Sequence, residues 1–387
     1  MHGRPDGRQD PRPRTHKEKG EIQKMKRMLA LLLALMMCFS LAACGGGNDD
    51  APAADNNPPA DNPPADAGDS EPAADGESYN IGVAIYQFND NFMTLYRQDI
   101  QAFFDAENEK AGYDKYNVTL VDSNNDMATQ TNQIQTFITQ KMDAIICNLV
   151  QTSSAEAIVN LCVDADIPLV LINREPPGDE KNEDGSIVDE SAKIILDNPK
   201  VCYVGADARQ SGTYQGEIIA ALEDKGDANG DGVVSYVMIE GDPENSDAQY
   251  RTQFSIKALE DAGIKVECLV DQIGNWDTAQ GQTIAANALT QHGNKIDVIF
   301  CNNDGMALGA FAAIQAAGRT VGEDIYLVGV DALDECVEMV NNGTMTGTVK
   351  NDDVGQANKA CEVTIELLEG KDIQNYYWVD YTKVVKE

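Results

Sequence analysis

The sequence predicts an α/β protein of two lobes, each built on a parallel sheet with helices on both faces. Three observations predict it. Eleven apolar runs of strand length, rich in β-branched residues, alternate with nine longer amphipathic patterns. The stretch able to fold, about residues 79–387, is longer than one hydrophobic core usually serves. A polar, Pro/Gly-rich segment, 176–199, interrupts the alternation part-way and suggests a place where the chain leaves the first lobe.

The strand runs begin at 80–86 (NIGVAIY) and 117–122, then 143–149 (DAIICNL) and 168–173 (PLVLIN). They continue at 201–204, 233–239 (VVSYVMI), 264–270 and 296–301 (IDVIFC), and end at 325–330 (IYLVGV), 346–350 and 377–385. Helical patterns fill the intervals at 92–111, 127–141, 154–166, 208–224, 246–262, 277–291, 305–317, 332–342 and 354–369. Strands without polar alternation are covered on both faces, which requires the helices to lie on either side. Connections of this kind are right-handed, and ligands bind at the carboxyl ends of the strands.

Ahead of this stretch the chain has another character. Lys24, Lys26 and Arg27 precede an apolar run from Met28 to Leu41. That run has the length of a signal core and falls short of the roughly 18–20 residues a bilayer crossing needs. Leu41-Ala42-Ala43-Cys44 then resembles a lipobox, so Cys44 is the expected lipidation site and the mature N-terminus. Residues 1–44 are thus a leader with a lipoprotein signal, and Met25 is a natural start within it. Residues 45–78, made of Asp, Ala, Pro, Gly and Asn with little apolar, are expected to be a disordered linker. The protein is expected to work outside the cytoplasm, held to the cell membrane by a lipid.

Composition excludes several function classes. The net charge is −35, and the part that follows the leader carries 20 basic against 60 acidic side chains. Such a chain repels nucleic acid and anionic lipid and suits a neutral or cationic ligand. Only His292 remains beyond the leader, too little for a His-based triad or a multi-His metal site. The seven cysteines after Cys44 are odd in number, form no CxxC pair and read as buried free thiols.

Polar residues recur where strand runs end. Asp90-Asn91-Phe92, Asn148, Asn173-Arg174-Glu175, Asp242 with Asp247, Asn302-Asn303-Asp304, Asp331 and Asn351 all stand there. Singly, each reads as a helix cap, because Asp and Asn side chains satisfy the first free amides. Collectively they would line one cleft, with Arg174 and Arg251 as cations. Carboxylates and amides in such numbers suit a ligand with many hydroxyls. Phe92 and Trp276 offer flat apolar plates, and a pyranose has apolar faces and a polar rim.

A second motif is local. In Asp227-Ala228-Asn229-Gly230-Asp231-Gly232-Val233-Val234-Ser235, side-chain oxygens fall at loop positions one, three and five and Gly at six, as in the front of an EF-hand loop. The Val233 carbonyl and Ser235 fall at seven and nine, but Met238 stands where a bidentate Glu belongs. Either another segment supplies that carboxylate or the loop is only an acidic turn.

The segments Ile85-Tyr86, Asp90-Asn91-Phe92-Met93, Cys147-Asn148-Leu149-Val150, Trp276-Asp277-Thr278-Ala279-Gln280, Asn302-Asn303-Asp304, Val330-Asp331-Ala332-Leu333 and Gly347-Thr348-Val349-Lys350-Asn351-Asp352 resemble, in order, the galactose/glucose-binding proteins of bacterial sugar ABC transporters. The resemblance implies a type I periplasmic-binding-protein fold, two Rossmann-like lobes joined by three hinge crossings, with a sugar in the cleft. It implies that Asp90 accepts from the O4 hydroxyl and that Phe92 and Trp276 stack on the ring. Asn148, Asn303, Asp331 and Asn351 would bind rim hydroxyls, and Asp247 and Arg251 the anomeric end. Asn245 stands where the family has a His. It also implies a calcium ion held by Asp227, Asn229, Asp231, Val233, Ser235 and Asp297, with Asp297 in the place of the family's Glu.

On this reading the lobes comprise 79–185 with 352–380 and 186–351 with 381–387, and hinges fall near 176–199, Asn351-Asp352 and Asp380-Tyr381. The expected function is capture of a galactose- or glucose-type aldohexose by a monomeric, non-enzymatic subunit that docks on an ABC permease. A chemoreceptor or sensor kinase is a further expected partner. A glycosidase using paired carboxylates is a rival. A transcription regulator would need an N-terminal helix-turn-helix, which 45–78 cannot form.

Overall fold

The computed structural model describes residues 76–177, 195 and 198–386, all within the compact unit Glu71–Glu387. The export signal, Cys44, nearly all of the linker and most of 176–199 lie outside the described residues. No helix among the described residues is long and apolar enough to cross a membrane.

The chain runs β1 (Tyr79–Ile85), α1 (Asn91–Ala111), β2 (Tyr116–Asp122), α2 (Met127–Thr139), β3 (Ala144–Cys147), α3 (Ala155–Asp164), β4 (Leu169–Ile172) and β5 (Val201–Gly205). It continues with α4 (Ala208–Ala220), β6 (Val234–Glu240), α5 (Ser246–Asp261), β7 (Val266–Ile273), α6 (Thr278–His292), β8 (Val298–Cys301) and α7 (Asp304–Ala316). It closes with β9 (Tyr326–Val328), α8 (Asp334–Asn342), β10 (Gly347–Lys350), α9 (Asp353–Leu368), β11 (Tyr376–Trp378) and β12 (Thr382–Val385).

Two six-stranded sheets result, ordered β11-β5-β4-β3-β1-β2 and β12-β10-β9-β8-β6-β7. All pairings are parallel except that of β10 with β12. The period of two along each strand sends side chains to two cores per sheet. Ile81, Val83 and Ile85 join the core beneath α1 and α9, while Ala84 and Ile145 join that beneath α2 and α3. In the second sheet Val237, Ile239 and Ile299 face one core, and Met238, Val298 and Phe300 the other. This is the doubly covered architecture that unbroken apolar runs demand.

The lobe boundary differs from the sequence reading. β5 pairs in parallel with β4, so 201–205 belongs to the first sheet and not the second lobe. The segment 176–199 therefore joins neighbouring strands of one sheet. The crossing falls at 206–207, because α4 packs on the second sheet, where Gln215 donates to the Cys301 carbonyl at 2.8 Å. Polar composition marks a segment outside a core, but not which sheet receives the chain next. The run 377–385 is likewise two strands, β11 in the first sheet and β12 in the second. Crossings at 351–352 and 379–381 coincide with the other two expected hinges. The seven described cysteines are unpaired, and six are buried while Cys268 is exposed.

Candidate ligand-binding site

The carboxyl ends of β1, β4, β6, β8 and β10 converge between the lobes, as parallel sheets require. Asp90, Phe92, Asn245, Asp247, Arg251, Trp276, Asn303, Asp331 and Asn351 line one cavity there. Tyr86, Met93, Asn173 and Arg174 complete its wall. Asp90, Asn245 and Asn303 are also helix N-caps, accepting from the backbone N–H of Met93, Asp247 and Met306. Capping and cavity lining are here one arrangement, since a carboxylate or amide oxygen retains a second lone pair after capping.

Trp276 is held by backbone and by packing. Its φ is 64°, a left-handed conformation uncommon for a bulky residue, and Asn173 and Asp331 in the same wall have φ of 61° and 122°. Strained backbone clusters at functional sites because the surrounding structure over-determines it. Gly241 lies flat against the indole, where an added Cβ would come within 2.1 Å of the ring. Phe92 is buried on α1 and meets Tyr96 edge-on with centroids 5.9 Å apart.

Arg251 organises the charge. It donates to Asp247 Oδ2 at 3.3 Å, to the Asn302 carbonyl at 2.8 Å and to the Tyr381 hydroxyl at 3.1 Å. Burial alone would ease its deprotonation, but Tyr381, Asp247 and Asp331 more than offset that and hold it charged. Burial pushes the Asp247 and Asp331 carboxyls up, an effect Arg251 partly counters. Asp247 Oδ1 and Trp276 Nε1 are buried without a hydrogen-bond partner among the described residues. Buried polar atoms left unpaired are costly, so these two suit a polar ligand that reaches them.

The lobes meet around this cavity. Thr152 donates to the Glu244 carbonyl at 3.1 Å, Ser246 to the Glu175 carbonyl at 3.0 Å, and Arg209 pairs with Glu175 at 3.2 Å. These contacts tie residues following β3 and β4 to the start of α4 and to the β6–α5 connection.

Residues 81–372 match the family model described as a periplasmic binding protein domain. The chain belongs to that family. Its relatives include the D-galactose/methyl-galactoside binding periplasmic protein MglB of Haemophilus influenzae, 34% identical over 295 residues, or 75% of this chain and 82% of that one. The ribose import binding protein RbsB of Escherichia coli is 25% identical over 309 residues, 79% of this chain and 90% of that one. An ABC transporter solute binding protein of Bacillus halodurans, solved with bound myo-inositol, superposes with a TM-score of 0.67 at 27% identity, covering 81% of this chain and 96% of that one. The family comprises the sugar-binding, extracytoplasmic substrate-binding proteins of ABC transporters, which are not enzymes, and its type I fold is the one described above.

Within this type I binding protein one expected contact is displaced. Asn148 is fully buried behind the cavity. Its Oδ1 accepts the Tyr86 N–H at 3.3 Å, and its Nδ2 donates to the Ile172 carbonyl and to Asn173 Oδ1 at 3.2 and 3.1 Å. Asn148 therefore braces the ends of β1 and β4, and Asn173 takes the wall position. Tyr86 and Met93 did not stand out in the sequence as wall residues. Their signals were membership of the resembling segments Ile85-Tyr86 and Asp90-Asn91-Phe92-Met93 and position, Tyr86 at the end of a strand run and Met93 in the first turn of a helix.

Asp297 packs against the binding protein's second motif. Asp297 is fully buried against the 227–235 loop, its Oδ2 accepting the Ser235 N–H at 2.8 Å. Burial raises its carboxyl, and the charges of Asp227 and Asp231 raise it further, against the hydrogen bonds from Ser235 and Asn229. Asp227 Oδ1 accepts from the Gly230 and Asp231 amides. No three His, Cys, Asp or Glu side chains among the described residues are arranged to hold a metal by themselves. The oxygen-only set of carboxylates, amide, carbonyl and hydroxyl nevertheless has the chemistry of a hard cation site, and a cation would relieve the repulsion around Asp297.

Proposed function

We propose that this protein captures a D-galactose- or D-glucose-type aldohexose outside the cytoplasm and delivers it to the transmembrane subunits of an ABC importer. The reading rests above all on Phe92 and Trp276 lining one cavity whose remaining wall, apart from Tyr86 and Met93, is carboxylate, amide and guanidinium. Aromatic plates match the apolar faces of a pyranose, and planar polar groups match its rim hydroxyls. Asp247 Oδ1 and Trp276 Nε1 give such a ligand two further places to bond. The relative named for D-galactose and methyl-galactoside supports a hexose over the pentose of the ribose-binding relative.

A sugar that touches both lobes favours the closed arrangement, and the population shift is bounded by its differential affinity for the two states. The acidic groups act as acceptors of hydroxyl protons and carry out no acid–base chemistry. Calcium is held by Asp227, Asn229, Asp231, the Val233 carbonyl, Ser235 and Asp297, where it supplies local rigidity and neutralises the loop. Cys44 carries the lipid that keeps the monomeric protein at the membrane, and a chemoreceptor or sensor kinase reads its closed form.

Titration calorimetry of the purified protein with galactose, glucose, ribose and myo-inositol tests the ligand class. Micromolar or tighter binding of a hexose with weaker binding of the others is expected. Preference for ribose or myo-inositol overturns the hexose assignment. Replacing Cys44 with Ser and fractionating cells tests the anchor, since an unmodified protein would leave the membrane fraction.

A further inference from the structure

Asp90, the carboxylate that the family resemblance implies for the sugar O4 hydroxyl, is gripped from two sides. Its Oδ1 accepts the Met93 N–H at 2.7 Å, and its Oδ2 accepts the Tyr86 hydroxyl at 2.7 Å. Tyr86 is 4% exposed. Burial, and then the charge of Asp90, push its phenol well above the ordinary range, so it keeps its proton and donates. Arg174 lies over the Tyr86 ring with Cζ 3.7 Å from the centroid. That guanidinium is 1% exposed, donates to the Val150 carbonyl and stands 3.7 Å from Asp242, which belongs to the second lobe. A continuous line of contact thus runs from Asp242, through Arg174 and Tyr86, to Asp90.

We propose that Tyr86 and Arg174 are positioning residues of the hexose site: Arg174, drawn toward Asp242 across the cleft, holds the Tyr86 ring so that its hydroxyl aims Asp90 at the sugar O4. This rests on the hexose reading above. Galactose and glucose differ only in configuration at that oxygen, so discrimination between them depends on how tightly the acceptor is fixed. A carboxylate held at both oxygens presents its remaining lone pairs in set directions, whereas one freed at Oδ2 can turn to follow either epimer. Because Asp242 comes from the other lobe, the aim is completed by closure, and selectivity is a property of the closed state. A guanidinium stacked on an aromatic face and removed from water is a stiff contact suited to this task.

The test compares galactose and glucose affinities by calorimetry for the wild type, Tyr86→Phe, Asp242→Asn and the double variant. Tyr86→Phe keeps the stacked ring and removes the hydroxyl. It is expected to weaken the preferred hexose roughly tenfold and the other less, so that the ratio moves toward one. Asp242→Asn, at a part-exposed position outside the cavity wall, is expected to move the ratio the same way by a smaller factor. The double variant is expected to match Tyr86→Phe alone, because both changes act on one carboxylate. Circular dichroism checks that each variant is folded. An unchanged galactose-to-glucose ratio in folded Tyr86→Phe, or effects that multiply in the double variant, overturns the proposal while leaving the hexose reading intact. A wild type that binds neither sugar overturns both.

Discussion

Asp297 Oδ1 accepts the Asn229 backbone N–H at 3.0 Å, joining the start of β8 to a loop 68 residues earlier in the chain. This contact brings a third carboxylate beside Asp227 and Asp231, in a place where burial already disfavours its charge. A calcium ion there would be expected to stabilise the fold by about 2.7 kcal/mol at a hundredfold excess over its dissociation constant. Differential scanning calorimetry should show a melting point that falls on adding EDTA and recovers with calcium. In Asp297→Ala the calcium response should vanish while sugar affinity changes by less than about threefold, given the separation of the two sites.

Trp276 should be sensitive to its own loss and to crowding from behind. Trp276→Ala is expected to cost about 1–3 kcal/mol of hexose affinity through lost stacking area. Gly241→Ala leaves the indole in the chain but places a methyl within 2.1 Å of it, so it should weaken sugar binding as well. Calorimetry showing wild-type affinity in Gly241→Ala would mean that the indole's position does not matter to the ligand.

Arg251 should matter to stability as well as binding. Arg251→Met strands Asp247 and Asp331 in the interior without their guanidinium. Removing one partner of a buried pair destabilises by about 3–5 kcal/mol. The midpoint of urea unfolding should drop accordingly, whereas Asp247→Asn should destabilise less.

Asp304 gives a pH dependence of defined sign. Its Oδ1 accepts the Thr348 hydroxyl at 2.7 Å and its Oδ2 the Leu333 N–H at 2.9 Å, yet burial outweighs these bonds and raises the carboxyl to about 7. The folded value thus lies above the unfolded one. Its stabilising contribution is full below the unfolded value and is lost as pH rises through about 7. Urea unfolding between about pH 4 and 8 should show the wild type losing stability from this group, on the order of a few kcal/mol. Asp304→Asn should have a flatter profile, and a parallel one would contradict the assignment.

Much of this architecture is local and therefore readable from the chain. β3, with every residue buried, follows from an unbroken β-branched apolar run, and α1, with Phe92, Met93, Tyr96, Ile100 and Phe104 buried on one face, from a period of 3.6. The cap residues were legible for the same reason: an Asp or Asn before an amphipathic run satisfies amides two or three residues on. Because strand ends and helix starts coincide in this fold, the caps Asp90 and Asn303 were found together with the cavity they line, whereas Asn245 was singled out only through the family resemblance. Arg174 was legible in the same way, as a cation at a strand end, but Tyr86 carried no comparable local mark, since a Tyr at the end of a strand is equally at home on a surface.

Local pattern and composition thus determined the strands, the helices and the polar character of their junctions, because each depends on residues a few positions apart. Tertiary structure alone decided what depends on distant segments meeting. It placed β5 in the first sheet, divided 376–385 between two sheets, set Asn148 behind Asn173 and stacked Arg174 on Tyr86. The physical reason is that hydrogen bonding across a sheet and burial between lobes are settled by which surfaces close on each other, and no short-range period encodes that choice.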